Sequence, residues 1–96
     1  MSIPSLVARP KQRPGVWRRQ TEGEVALYDP DSGTVHIVND TALAIWDLCD
    51  GTTTPDEMIL AICELFGMHR DIVQEDVQRT LDEFDRAGLV TWKDWM

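Results

Sequence analysis

The chain has 96 residues and a formal net charge of −8, and 43% of its residues are hydrophobic. This length suits one domain with a modest core, which leaves little room for an enzyme active site and its supporting structure. No apolar run approaches the roughly 18 residues that span a bilayer, and no apolar signal segment opens the chain, so we expect a cytoplasmic protein without a membrane partner.

The charge is distributed unevenly along the chain. Residues 1–19 contain five basic and no acidic side chains, whereas residues 20–96 contain four basic and seventeen acidic ones. An acidic body repels the phosphates of nucleic acids. The charge pattern therefore argues against nucleic acid as a partner.

The first third of the chain reads as an arm followed by short strands. Residues 1–15 contain three prolines and are predicted to form a flexible basic arm, ahead of one domain over residues 16–96. A first short strand is predicted over 16–19. Residues 24–29 alternate apolar and less apolar side chains, and residues 34–38 are β-branched, as half-buried strands are. These segments predict a three-stranded antiparallel meander with two exposed edges.

Two helices are predicted after the strands. Asn39 or Asp40 can cap the first, and Gly51 can adopt the left-handed conformation with which a helix ends. Residues 54–57, Thr-Pro-Asp-Glu, form a capping box with proline at the first helical position. Gly67 stops this second helix.

A third helix is predicted over residues 70–87, with Gly88 as its stop, and residues 89–92 form a last short extended piece. Three strands followed by three helices predict an α+β, winged-helix-like fold, in which a three-stranded antiparallel sheet is followed by a three-helix bundle.

No catalytic or metal-binding pattern stands out. There is no Gly-rich phosphate loop and no His/Cys cluster with metal-ligand spacing. His36 and His69 are isolated, and each is more typical of a packing or surface residue than of a general base. Cys49 and Cys63 lie at apolar helical positions and are predicted to be buried free thiols. We therefore expect that the protein is not an enzyme and that it binds neither a metal ion nor a cofactor.

A DNA-binding helix-turn-helix is the main alternative. The second and third helices, joined by residues 67–69, could present the third helix to a major groove. Residues 70–87 carry three arginines and six carboxylates, however, and this charge has the wrong sign for DNA. A winged-helix regulator that binds DNA or a protein partner is the runner-up. An interaction module that acts through its N-terminal arm is a third hypothesis.

Two features could act together as a binding site. One is the edge of the strand 34–38, and the other is the third helix, whose apolar face is flanked by Asp76, Thr80 and Glu83. A strand edge beside an amphipathic helix forms a groove that can bind an extended peptide by strand addition. The alternative is that the strand and the apolar face of the third helix are both buried in the domain's own core. The exposed edge also makes a homodimer by edge pairing or swapping plausible.

Short motifs between about Arg9 and Val90 carry a family resemblance. They are Pro14-Gly15, the hairpin segment 25–30, Val38-Asn39 followed by Thr41-Ala42, the helix end 48–51, the capping segment 54–57, Asp76-Val77 followed by Leu81, and 88–90. In this order and spacing they resemble the PqqD family, whose members act as recognition elements for ribosomally synthesised and post-translationally modified peptides (RiPPs). Val38 stands where the family commonly has Leu, and Ile45-Trp46 resembles the stand-alone recognition proteins of lasso-peptide clusters equally well.

The resemblance implies a non-catalytic chaperone that binds the leader segment of a precursor peptide as an added strand and presents it to a modifying enzyme. In pyrroloquinoline quinone (PQQ) biosynthesis that enzyme would be a radical S-adenosylmethionine protein, and in a lasso-type cluster a leader peptidase or cyclase. The acidic body would suit a leader with basic residues, and salt-insensitive binding would refute this. The implied contact residues are Val35, His36, Ile37 and Val38 on the strand, and Val73, Asp76, Val77, Thr80, Leu81 and Phe84 on the third helix.

Overall fold

A computed structural model describes residues 8–93 of the chain. Within that range the elements are β1 (Arg9–Gln12), β2 (Trp17–Thr21), β3 (Glu24–Asp29), β4 (Thr34–Val38), α1 (Asp40–Leu48), α2 (Pro55–Phe66), α3 (Arg70–Arg86) and β5 (Val90–Lys93). The α+β class is confirmed, because an antiparallel sheet with strand order β2-β3-β4 precedes three helices. No helix of the described part is long and apolar enough to cross a membrane.

The three-stranded sheet has one face against the helices and one face open. Leu27 lies opposite His36 in the register and is fully buried, so this pair faces the core. Val35 lies opposite Tyr28 on the other face, where Val35 is exposed. Successive strand residues point to opposite sides of a sheet, which explains this alternation.

The turn between β3 and β4 is built around Asp29. Its Oδ1 accepts a hydrogen bond from the Asp31 backbone N–H at 3.1 Å, and its Oδ2 accepts one from the Ser32 hydroxyl at 3.0 Å. The Gly33 N–H donates to the Asp29 carbonyl, and Gly33 has a φ of +72°, which glycine adopts without steric cost. These bonds set the register of the hairpin that β4 completes.

The predicted helix signals hold except for the end of α1, which stops at Leu48 with Cys49 as its C-cap, two residues before Gly51. The Asn39 side chain accepts a hydrogen bond from the Ala42 N–H at 2.8 Å and caps α1. Thr54 and Glu57 form the reciprocal capping box of α2, and Gly67 ends that helix with a φ of +63°. The cap of α3 comes from the His69 ring, which accepts from the backbone N–H of Asp71.

A single hydrophobic core joins the helices to the inner face of β3. Burying each large apolar side chain stabilises the fold by about 1.5–3 kcal/mol. The cluster consists of Leu27, Ile45, Trp46, Cys49, Met58, Ile59, Ile62, Val73, Val77, Leu81, Phe84, Leu89 and Val90. Most of the apolar face of α3 therefore belongs to the core.

The prediction of a flexible arm over residues 1–15 is wrong for residues 9–12, because these residues form β1. This strand pairs antiparallel with β5, and Pro10 lies opposite Trp92. Pro10 is buried, and its carbonyl accepts a hydrogen bond from the Gly51 N–H at 2.9 Å, so the segment is held from two sides. Residues 1–7 lie outside the described residues, and the division into an arm and a domain stays a prediction.

Both cysteines are free thiols, as predicted; Cys49 is buried and Cys63 is half-buried. The Cys49 thiol donates to the Ile45 carbonyl at 3.3 Å. Burial raises the pKa of Cys49 to about 12, with a further contribution from the carboxylates of Asp50 and Asp47. A thiol with this pKa is unreactive at neutral pH.

Candidate functional site

A hollow of about 180 Å³ lies between β4 and α3. His36, Ile37 and Val38 of β4 form one wall. Asn39 and Ala42 also line it, and the helix wall is formed by Arg79, Thr80, Glu83 and Phe84. We call this hollow the β4–α3 groove. A second, more open hollow of about 460 Å³ adjoins it, since His36 and Glu83 line both.

The β4 wall of the groove is a sheet edge. β4 pairs with β3 on one side, and no strand within residues 8–93 pairs with its other side. Unpaired N–H and C=O groups on a sheet edge can pair with another extended chain. His36 and Val38 are half-buried towards the helices, whereas Val35 and Ile37 are 56% and 61% exposed. Peptide addition at this edge would therefore require no rearrangement of the sheet.

The helix wall has an apolar floor and a polar contact point. Phe84 is only 3% exposed. Thr80 is 8% exposed, and its hydroxyl makes no hydrogen bond within residues 8–93. No described side-chain polar atom is both sealed from solvent and without a partner, so this hydroxyl opens into the groove. The Thr80 hydroxyl is thus available for a hydrogen bond to a bound molecule, beside the apolar ring of Phe84.

Two of the three arginines of α3 pair with carboxylates of the same helix. Arg79 pairs with Asp76, and Arg86 pairs with Asp82 at 3.0 Å. Glu83 lies between the two arginines and has no ion pair within residues 8–93. Residues three and four apart share one face of a helix, which is why these pairs form.

The ten side chains named from the resemblance divide into three groups. Five line the groove: His36, Ile37, Val38, Thr80 and Phe84. Three are fully buried in the core and cannot reach a peptide in this conformation: Val73, Val77 and Leu81. The other two lie outside the lining, since Val35 faces solvent on the open side of the sheet and Asp76 pairs with Arg79.

Several groove residues were absent from that set. Asn39, Ala42, Arg79 and Glu83 also line the groove. The signal for two of them was present in the sequence, because Arg79 and Glu83 lie at helical spacing from Asp76 and Thr80. No group of three or more His, Cys, Asp or Glu side chains in the described part of the chain is positioned to hold a metal ion.

Residues 24–90 match the family model described as Coenzyme PQQ synthesis protein D (PqqD). The chain belongs to the PqqD family. No curated protein sequence matches this PqqD-family chain. The comparison with solved structures gives several similar folds.

One similar structure is TbiB1 in complex with the TbiA(beta) leader peptide, at 25% identity, a TM-score of 0.71 and coverage of 83% of this chain and 93% of that one. A lasso peptide synthetase B1 complexed with its leader peptide has 24% identity and a TM-score of 0.71, covering 86% and 98%. The PqqD part of Methylobacterium extorquens PqqCD, described as a functional, stand-alone RiPP recognition element, has 19% identity and a TM-score of 0.70, covering 85% and 87%. The fold of this PqqD-family chain is therefore that of RiPP recognition elements.

Proposed function

We propose that this protein is a non-catalytic chaperone that binds the leader segment of a ribosomally synthesised precursor peptide in the β4–α3 groove. The unpaired edge of β4 carries the proposal, because it lies along a hollow whose opposite wall is α3. The leader adds to the sheet as a fourth strand beyond β4. Its main chain supplies affinity, and its side chains enter the groove and supply selectivity.

The comparisons support this proposal. Two similar structures, TbiB1 and lasso peptide synthetase B1, are complexes with leader peptides. The bound leader is presented to a modifying enzyme, either a radical S-adenosylmethionine protein of PQQ or another RiPP pathway, or a leader peptidase or cyclase of a lasso-type cluster. Because the precursor is made on the ribosome, the encounter takes place in the cytoplasm.

Burial separates the residues that touch the leader from those that support the groove. The main chain of β4 pairs with the leader, while Thr80 and Phe84 contact its side chains. Val73, Val77 and Leu81 hold α3 in place from the core and make no contact. Substitution at these three positions therefore acts on stability rather than on selectivity.

The two alternatives have less support. None of the three similar structures is described as a DNA-binding protein, and six carboxylates stand against three arginines over residues 70–87. The hypothesis of a functional arm is tested by removing residues 1–7, because a cut after residue 12 would also delete β1. Leader binding that survives the shorter deletion refutes it.

The test is an NMR titration of isotope-labelled protein with the leader half of a precursor peptide encoded beside the gene. We expect amide shifts at residues 34–38 and along the groove face of α3. Two versions of the leader peptide are compared, one N-methylated at the odd-numbered residues and the other at the even-numbered residues. One version lacks the N–H groups that pair with β4 and should not bind, whereas the other should bind.

Two results would contradict strand addition. One is equal binding of both N-methylated peptides, and the other is saturation without shifts in β4. Sedimentation of the same samples tests the homodimer, because peptide addition and edge-to-edge pairing use the same strand edge. If β4 pairs two copies, the leader should convert the dimer to a monomer.

A further inference from the structure

The ion pairs of α3 leave one carboxylate unneutralised in the groove. Arg79 lines the first hollow and Arg86 the adjoining one, and each is held by a carboxylate of its own helix, Asp76 and Asp82 respectively. These two pairs cancel in charge. Glu83 lies between them, lines both hollows and has no partner in the described chain. The net charge that α3 presents to the groove is therefore that of Glu83.

The Thr80 hydroxyl is an independent feature of the same wall. It belongs to a side chain that is more than nine-tenths buried, has no hydrogen-bond partner within residues 8–93 and opens into the hollow. Thr80 and Glu83 are three residues apart, so they lie on the same face of α3. A hydroxyl and a carboxylate side by side accept hydrogen bonds from one donor group.

We propose that the β4–α3 groove is a selectivity pocket for one basic side chain of the bound peptide, with Glu83 as its counter-charge and Thr80 as a second acceptor. This inference rests on the proposed function, since it requires a peptide along β4. The aliphatic part of the lysine or arginine side chain lies on Phe84 and Ala42, which line the same hollow. Long basic side chains bury their stem on apolar surface and keep the charged end at a polar group.

The pocket selects against other side chains for physical reasons. Glu83 is exposed to solvent. An acidic side chain would still meet its carboxylate as a like charge, which is unfavourable. An apolar side chain would cover the Thr80 hydroxyl and leave it without a partner, which also opposes binding. A neutral amide satisfies the hydroxyl but lacks the charge attraction. Basic residues therefore bind best.

The experiment needs no knowledge of the natural precursor. A random library of 16-residue peptides displayed on mRNA is selected on the full chain, and enriched peptides that shift the amides of residues 35–38 are kept. One such peptide is synthesised with its basic residue intact and with that residue replaced by glutamine. Dissociation constants of both peptides are measured by fluorescence anisotropy for the native protein and for Glu83→Gln, Thr80→Val and Glu75→Gln.

We expect a lysine or arginine at a fixed position of the enriched peptides. Glu83→Gln should weaken binding of the basic peptide about threefold and leave binding of the glutamine peptide unchanged, which is the size of effect expected for an ion pair at a solvent-exposed carboxylate. Thr80→Val keeps the shape of the side chain and should weaken the basic peptide about threefold. Glu75→Gln is the matched control, because Glu75 is an exposed carboxylate of the same helix that lines a separate hollow.

The outcomes separate this inference from the proposed function. Enriched peptides that shift β4 but have no preferred basic residue would overturn the selectivity pocket and leave strand addition intact. So would an equal effect of Glu83→Gln on both peptides, or an equal effect of Glu75→Gln. Failure to enrich any peptide that shifts residues 35–38 would overturn both.

Discussion

The ring of Phe84 meets the ring of Trp46 edge to face, with centroids 5.7 Å apart and an angle of 83° between the planes. Phe84 belongs to α3 and lines the β4–α3 groove, whereas Trp46 belongs to α1 and is buried in the core. The floor of the groove is thus fixed by a contact inside the core. Groove geometry and fold stability are therefore coupled through this pair of rings.

Replacing Phe84 with leucine tests the contribution of this contact to the core. We expect the free energy of unfolding to fall by about 1–3 kcal/mol, because the aromatic contact is lost and leucine leaves part of the space empty. The control is Phe66→Leu, since Phe66 is 38% exposed at the end of α2 and should cost about 0.5 kcal/mol or less. Urea titrations of both variants give the comparison. Equal losses would contradict the assignment of Phe84 to the core.

Asp29 gives a second stability prediction. It is 2% exposed, accepts hydrogen bonds from Asp31 and Ser32, and lies 3.5 Å from Arg13. Asp29→Ala should lower the free energy of unfolding by about 1–3 kcal/mol, because it leaves these donors without an acceptor. Asp31→Ala removes an exposed carboxylate that also faces Arg13 and should cost less than about 1 kcal/mol. Thermal unfolding that ranks the two variants in the opposite order would refute the role of Asp29 in the hairpin.

The capping box of α2 predicts a dependence of stability on pH. Hydrogen bonds from the backbone N–H and the hydroxyl of Thr54 lower the pKa of Glu57. A carboxyl group with a lower pKa in the folded than in the unfolded state binds fewer protons when folded, so it stabilises the fold above its unfolded pKa. That stabilisation is lost as the pH falls from about 4.3, the ordinary pKa of glutamate, through the lower folded value.

Asp50 acts in the same direction. Partial burial raises its pKa, but hydrogen bonds from Thr52 and Thr53 outweigh this effect and lower it overall.

The contribution of Glu57 is tested by substitution. Urea midpoints between pH 3 and 7 should show a smaller acid-induced loss of stability for Glu57→Gln than for the native protein. Glu64→Gln changes an exposed carboxylate of the same helix and should follow the native curve. If the urea midpoints of all three proteins depend on pH in the same way, Glu57 does not contribute to acid unfolding.

The two thiols should differ in reactivity. Burial raises the pKa of Cys49 to about 12, and its thiol is bonded to the Ile45 carbonyl, whereas Cys63 is half-buried on α2. Iodoacetamide at pH 8 should modify Cys63 in the folded protein and reach Cys49 only after unfolding. Peptide mass mapping with and without urea identifies the modified site. Modification of Cys49 in the native protein at the rate of Cys63 would contradict the burial.

The sequence predicted the meander, the N-caps of α1 and α2 and the order of the predicted elements, because these depend on local patterns such as Thr54-Pro55-Asp56-Glu57. It did not predict β1. The partner of β1 is β5, some 80 residues away in the chain, and Pro10 is a residue that usually argues against a strand. The extended segment at residues 89–92 was predicted, but its long-range pairing with residues 9–12 leaves no local signal.

The groove was only partly predictable for a related reason. Helical spacing groups Val73, Val77 and Leu81 on one face of α3 and Asp76, Thr80 and Glu83 on the next. The pattern does not say which face is covered by α1 and α2 and which is left beside β4. That distinction depends on how the helices pack against the sheet. Four of the ten named residues belong to the core, and of these Phe84 alone also lines the groove.

The pairing of β1 with β5 brings the two ends of the described fold together, with Arg9 directly opposite Lys93. Paired residues of antiparallel strands lie about 4.5–5.5 Å apart, so the chain enters and leaves this fold at nearly the same point. The fold could therefore be inserted into a surface loop of an unrelated enzyme without separating the two ends of that loop. A modifying enzyme could acquire its own peptide-recruiting cassette by a single insertion.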